Sequence, residues 1–166
     1  MNFDDWIRSV PQAMKDDALW KMKVYRLALF LADIGWHDVT KLMGDRRTLS
    51  LSDQLYRALG SISANISEGY SRSSGKDQAR FDEYALGSAR EARGWYFKGR
   101  HILGSAVFDH RLQLLTENIR MLLSIIPEQR VSAVREEPVV YGEIPKPQTV
   151  SLEDLLANVP MPSPNP

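Results

Sequence analysis

The chain has 166 residues, the length of one domain, with 43% hydrophobic and 25% charged residues, which excludes a wholly disordered or collagen-like chain. It has no cysteine, so a disulfide scaffold, a thiolate metal site and a cysteine nucleophile are excluded together. Lys plus Arg is 21 and Asp plus Glu is 21, so net charge gives no argument for nucleic acid or membrane. No apolar run reaches the ~18 residues of a membrane span, and the opening MNFDDWIRSV is acidic and too short for a signal peptide. The expectation is a cytoplasmic protein.

No proline lies between Pro11 and Pro127, which permits long helices. The first is predicted over 17–34. Asp16 or Asp17 can cap it, and Trp20, Val24, Leu27, Leu31 and Ile34 repeat at 4-3 spacing. The second, 51–68, follows Ser50 and carries Leu51, Leu55, Ala58, Ile62 and Ile66. Gly69 then offers a left-handed residue to end it. The third, 76–103, begins at Ser74-Gly-Lys-Asp77, which resembles a capping box. Its stripe is Phe81, Ala85, Ser88, Ala92, Trp95, Gly99 and Ile102. The fourth, 109–126, has Leu112, Leu115, Ile119, Leu122 and Ile126, and Pro127 closes it. Small residues at Gly60, Ser61, Ala64, Ser88, Ala92 and Gly99 would let the second and third helices approach closely. Four such stripes, with a long first connection and short later ones, predict an all-α fold: an antiparallel up-down four-helix bundle over residues 1–130.

Residues 131–166 hold seven of the nine prolines and read as a Pro-rich, largely disordered tail. Within it, Ser151-Leu-Glu-Asp154 reads as a capping box, and Leu152, Leu155, Leu156 and Val159 follow at helical spacing. This predicts a short helix over 151–159, either a docking segment or an idle turn. Residues 1–130 carry 19 basic and 16 acidic residues; the tail carries 2 and 5.

Two helices have apolar residues on a second face. Leu86 and Phe97 lie opposite the third helix's stripe, beside Arg90 and Arg93. Leu114, Met121 and Ile125 lie opposite the fourth's. A helix with two apolar faces has a second partner more often than not, so these seven residues are the predicted oligomer interface.

The stretch around the second helix resembles a known family, the 23S rRNA intervening-sequence proteins. The matching positions are Gln54, Leu55, Arg57, Ala58, Ser61, Ile62, Asn65, Ile66, Glu68, Gly69, Arg72, Phe81, Ala85, Gly87, Ser88 and Glu91. The resemblance covers roughly residues 17–127. It implies an antiparallel four-helix bundle and a ring-like homo-oligomer, a homopentamer. The fold is also similar to that of the accessory protein that works beside reverse transcriptases in diversity-generating retroelements. That likeness implies structured RNA or DNA, or a partner protein such as a reverse transcriptase, as partners. The zero net charge departs from that strongly basic protein.

Arg57, Arg72, Lys76 and Arg80 lie around the motif and are the candidate nucleic-acid-binding residues. Gln54, Asn65, Glu68, Gly69 and Glu91 read as structural members of it, since buried polar groups must be satisfied and can fix register. The Gly69–Asp77 segment fails as a phosphate loop: five residues separate its glycines, Asp77 follows Lys76, and a helix precedes it. It is left as either an anion site at a helix N-terminus or ordinary capping. His37, His101 and His110 have no ligand spacing, so no metal, cofactor or catalytic group is assigned and no enzyme is expected. The alternative to nucleic-acid binding is a scaffold whose 151–159 helix docks a partner protein.

Overall fold

The computed structural model describes residues 2–131 and 150–164, and within these the chain is all-helical, with no strand. The elements are α1 (Phe3–Ser9), α2 (Gln12–Lys15), α3 (Lys23–Leu42), α4 (Leu49–Tyr70), α5 (Gly75–Leu103), α6 (Ser105–Val131) and α7 (Leu152–Ala157). Tight 3-10 turns precede α3 and α4, at Ala18–Lys21 and Arg46–Thr48.

The first long helix is displaced from the expected 17–34. Asp17 accepts from the Leu19 amide at 2.8 Å, which closes the 3-10 turn, and extended Met22 delays the α-helix to Lys23. Gly35 does not stop it. A Cβ there would overlap the Leu59 side chain, so this glycine lets Leu59 of α4 pack directly on the α3 backbone. The connection to α4 is therefore short. The buried Thr48 hydroxyl donates to the Leu42 carbonyl and ties it down.

Gly69 likewise does not end its helix. α4 runs to Tyr70, and Ser71 follows in right-handed conformation. A Cβ at Gly69 would stand 3.0 Å from the Phe81 Cβ and 3.2 Å from the Gln78 carbonyl, so the glycine admits α5. The left-handed glycine is Gly104 (φ 82°), the single residue between α5 and α6. Pro127 lies inside α6 rather than at its end. Proline removes one ladder bond there, and side chains hold the turn beyond it: Gln129 donates to Asp82 at 2.9 Å, and Arg130 pairs with Glu83.

Successive long helices turn back on one another. Trp36 meets Tyr56, Ser61 meets Ser88, and Phe97 meets Phe108. α4 packs on α3 and α5, α5 packs on α6, and α6 returns more lightly to α3. The core runs through Leu27, Leu31, Ile34, Leu55, Leu59, Ile62, Ala85, Ala89, Leu115 and Leu122. Two predicted interface residues belong to it: Leu86 is 3% exposed and Leu114 is fully buried. The buried stripe of α5 is turned about one residue from the expected phase, with Tyr96 inward on Asp38; on α6 Leu115, Ile119, Leu122 and Ile126 are buried as expected, and the buried face widens to include Arg111 and Leu114. Met121 and Ile125 are half-buried against the core; Phe97, Arg90 and half-buried Arg93 keep surface positions. Of the small residues read as α4–α5 contacts, Gly60 and Ala64 are exposed, and Gly99 packs near Leu42 and Leu51.

Both chain ends dock on this body. Phe3 and Trp6 of α1 pack on Phe30 and Trp20, with ring centroids 5.1–6.0 Å apart. α7, capped by Ser151, lies against α1 and α6 with Leu155 buried. A largely disordered tail is therefore not what residues 150–164 form; residues 132–149, 165 and 166 lie outside the described residues.

Candidate nucleic-acid interface

The turn between α4 and α5 gathers three of the four candidate cations. Because Gly69 lets Phe81 close on the end of α4, the Arg72 guanidinium lies over the Phe81 ring, 4.8 Å from its centroid, and also pairs with Glu68. The Arg72 carbonyl accepts from Gln78 at 2.9 Å, fixing the turn. One helical turn into α5, Arg80 donates to the Tyr84 hydroxyl at 2.8 Å and lies over that ring. The Tyr84 oxygen holds the Arg80 pKa above its usual value. Lys76 is exposed between them. Tyr70 and Tyr84, both nearly half exposed, complete a surface of cations and ring faces. Phosphates and unstacked bases are bound by such a combination.

The first turn of α5 is already capped. Ser74 Oγ accepts from the Asp77 amide and donates to the Asp77 carboxylate at 2.8 Å, and that carboxylate opposes an anion there. The anion-binding capacity thus rests on the side chains of Arg72, Lys76 and Arg80. Arg57 does not join them. It is exposed and pairs loosely with Asp53 at 3.8 Å, about 20 Å along α4 from Arg72.

The structural motif residues divide. Asn65 donates to the Ser61 carbonyl and hydroxyl (2.8 and 3.0 Å), and Ser88 reaches the same hydroxyl from α5 at 3.2 Å. That chain of polar contacts fixes α4 against α5. Glu68 serves Arg72, and exposed Glu91 accepts from the Trp95 indole at 3.1 Å. Gln54 is exposed and makes no side-chain hydrogen bond with a described residue.

A second constellation escaped the sequence reading. Arg111 is fully buried and forks onto Asp38 of α3, Nε to Oδ2 at 2.7 Å and one terminal nitrogen to Oδ1 at 3.1 Å. Tyr96 donates to the same carboxylate at 2.7 Å; burial and that charge raise its pKa far above normal. Arg111 also donates to the Pro160 carbonyl at 3.0 Å and to His110 Nδ1 at 2.8 Å. A guanidinium has no acceptor, so Nδ1 is unprotonated and Nε2–H donates to the Leu155 carbonyl at 2.7 Å. Burial pushes the His110 pKa below the usual imidazole range, with the Arg111 charge acting in the same direction. The network holds the C-terminal segment onto the α3–α6 seam. Among the described residues, no three His, Asp or Glu side chains form a group able to hold a metal, and no helix is long and apolar enough to cross a membrane.

These features lie within, or pack upon, a segment that a family model matches over residues 20–124, that of the 23S rRNA-intervening sequence protein. The chain belongs to that family. Neither the curated proteins nor the solved structures return a match.

Proposed function

We propose that this chain is a non-enzymatic, homo-oligomeric nucleic-acid-binding accessory protein, with structured RNA as its partner. In this reading its four long helices form an antiparallel up-down bundle, and copies assemble as a ring, a homopentamer. One observation carries it: Arg72, Lys76 and Arg80 stand exposed around one turn, with Arg72 over the Phe81 ring and Arg80 over the ring of Tyr84, which is nearly half exposed. A ring multiplies that feature. Five bodies that each carry three more basic than acidic residues would sum to about +15 and their five tails to about −15, so attraction of a polyanion rests on the bodies' cations gathered on one surface and not on the net charge of the ring.

The test is a salt series on the Arg72→Ala/Lys76→Ala/Arg80→Ala variant. Each phosphate contact contributes about 0.7–0.9 to the slope of log K against log salt. The variant is expected to lose about two to three units of slope per bound copy and keep its oligomeric mass. An unchanged slope overturns the assignment of these residues. The scaffold reading, in which the 151–159 helix captures a partner protein, is favoured by one feature: the C-terminal segment is held to the body through the Leu155 carbonyl in that helix and the Pro160 carbonyl just after it, a latch that release could convert into a free docking element.

A further inference from the structure

We propose that the hollow between the N-terminal segment, α3 and α4 is a binding site for a small quaternary ammonium ion whose other substituents carry no charge.

The hollow follows from a second stripe on α3. Leu29, Ala32, Asp33 and Trp36 recur at i, i+3, i+4 and i+7, so they share one face, offset from the core stripe of Leu27, Leu31 and Ile34. The N-terminal segment covers only part of that face. α1 is anchored through Phe3 and Trp6, and extended Val10 and Pro11 turn the chain into α2. A cavity of about 410 Å³ remains beside the turn, within the size range of small-molecule sites.

Three aromatic side chains line it, from three elements: Trp6, Trp36 and Tyr56. Trp6 is 6% exposed and packs on Phe30 and Trp20, with centroids 5.3 and 6.0 Å away, so it is a fixed wall. Trp36 and Tyr56 meet at 5.9 Å with their ring planes 68° apart, which makes a corner. They are 57% and 44% exposed. The negative faces of such rings attract a cation, and their apolar surface accepts its methyl groups.

The polar groups select the same ligand. Asp33 is the only charged side chain among the described residues that line the cavity, and it makes no ion pair with any described residue. The Ser9 hydroxyl donates to the Trp6 carbonyl at 2.7 Å, so toward a ligand it can only accept. A quaternary ammonium needs no hydrogen bond, which suits walls made mostly of ring and aliphatic surface. A primary ammonium has three donors to satisfy there. No described arginine, lysine or histidine lines the cavity, so a phosphate on the ligand would find no counter-charge. Choline therefore fits, and phosphocholine does not. The site is separate from the proposed nucleic-acid surface: Tyr56 stands about 21 Å along α4 from Tyr70.

The experiment titrates the full-length protein with choline, followed by calorimetry and by the indole N–H signals in NMR spectra. Two ligands serve as comparisons: phosphocholine, and the neutral carbon analogue in which a tert-butyl group replaces the trimethylammonium. Choline is expected to bind once per chain with a dissociation constant of about 1 mM or tighter, shifting the Trp6 and Trp36 signals. Both comparison ligands should bind at least about tenfold more weakly. Trp36→Leu should weaken choline at least about tenfold. Asp33→Asn should weaken it about fivefold, as expected for an exposed charge pair. No saturable binding of choline overturns the proposal. Equal binding of the carbon analogue overturns the ammonium ion as ligand, and equal binding of phosphocholine overturns the requirement for uncharged substituents. Choline binding that both variants leave unchanged overturns the location. Should Trp36→Leu lose its helical signal, Tyr56→Leu takes its place with the same expected loss.

Discussion

Arg111 keeps a guanidinium out of water at no exposure, and Asp38 is the reason it can. Removing one member of a buried ion pair strands the other, at a cost of about 3–5 kcal/mol, while replacing both with apolar residues is often nearly neutral. Arg111→Met is therefore expected to lose stability of that order in urea denaturation, and Asp38→Leu/Arg111→Met to recover most of it. Asp82 works in the opposite direction. Burial raises its pKa from 3.8 to about 6, against the Gln129 bond that lowers it. The folded state thus takes up this proton before the unfolded state does, so its contribution is full below about pH 4 and lost as pH rises through 6. Asp82→Asn, which keeps an oxygen for Gln129, should be more stable at pH 7 by about 1–2 kcal/mol and lose that pH dependence. An unchanged profile would contradict the assignment. The sequence carries a trace of the buried pair. Asp38 occupies the next position of the stripe Leu27, Leu31, Ile34, and a charge in an apolar stripe signals a hidden partner. That the partner is Arg111, 73 residues away, depends on tertiary packing that no local pattern encodes.

At the scale of elements, the long helices were legible because their apolar periods persist for several turns, and α7 because its capping box is local. Boundaries slipped at Gly35, Gly69 and Pro127, residues that ordinarily end helices. The two glycines serve close approaches to Leu59 and Phe81, and the turn after Pro127 is anchored through Asp82 and Glu83. Where α7 docks was not legible, since a leucine stripe does not name its receptor. His110 makes that docking pH-sensitive. Burial holds its docked pKa below the usual imidazole value of about 6.5, so the tail's attachment is full above about pH 6.5 and weakens as pH falls. The groups that act on His110 are Asp38 from α3, Arg111 from its own helix and the Leu155 carbonyl. Hydrogen exchange at the Leu155 and Asn158 amides, corrected for intrinsic rates, should accelerate between pH 7.5 and 5.5. His110→Gln, which donates and accepts in the same places without titrating, should abolish the change. Protection independent of pH in the wild-type chain would contradict the latch.

For the whole molecule, the candidate site was half legible. Arg72, Lys76 and Arg80 are close in sequence across a turn, so spacing alone gathers them; Arg57 shares the motif but not the surface. The aromatic supports, Phe81 and Tyr84, follow from the helical register of α5, whereas the contact between the exposed rings of Trp36 and Tyr56 emerges only once α3 and α4 fold against each other. The neutral net charge of one chain conceals a basic body beside an acidic tail, and assembly would concentrate the body's charge. The most direct measurement is binding of the full-length protein to a structured RNA across a salt series, with light scattering on the same sample. The account predicts a multimer that binds at micromolar concentration or tighter, with an affinity that falls steeply as salt rises. A multimer that shows no affinity for the RNA at low salt would contradict it.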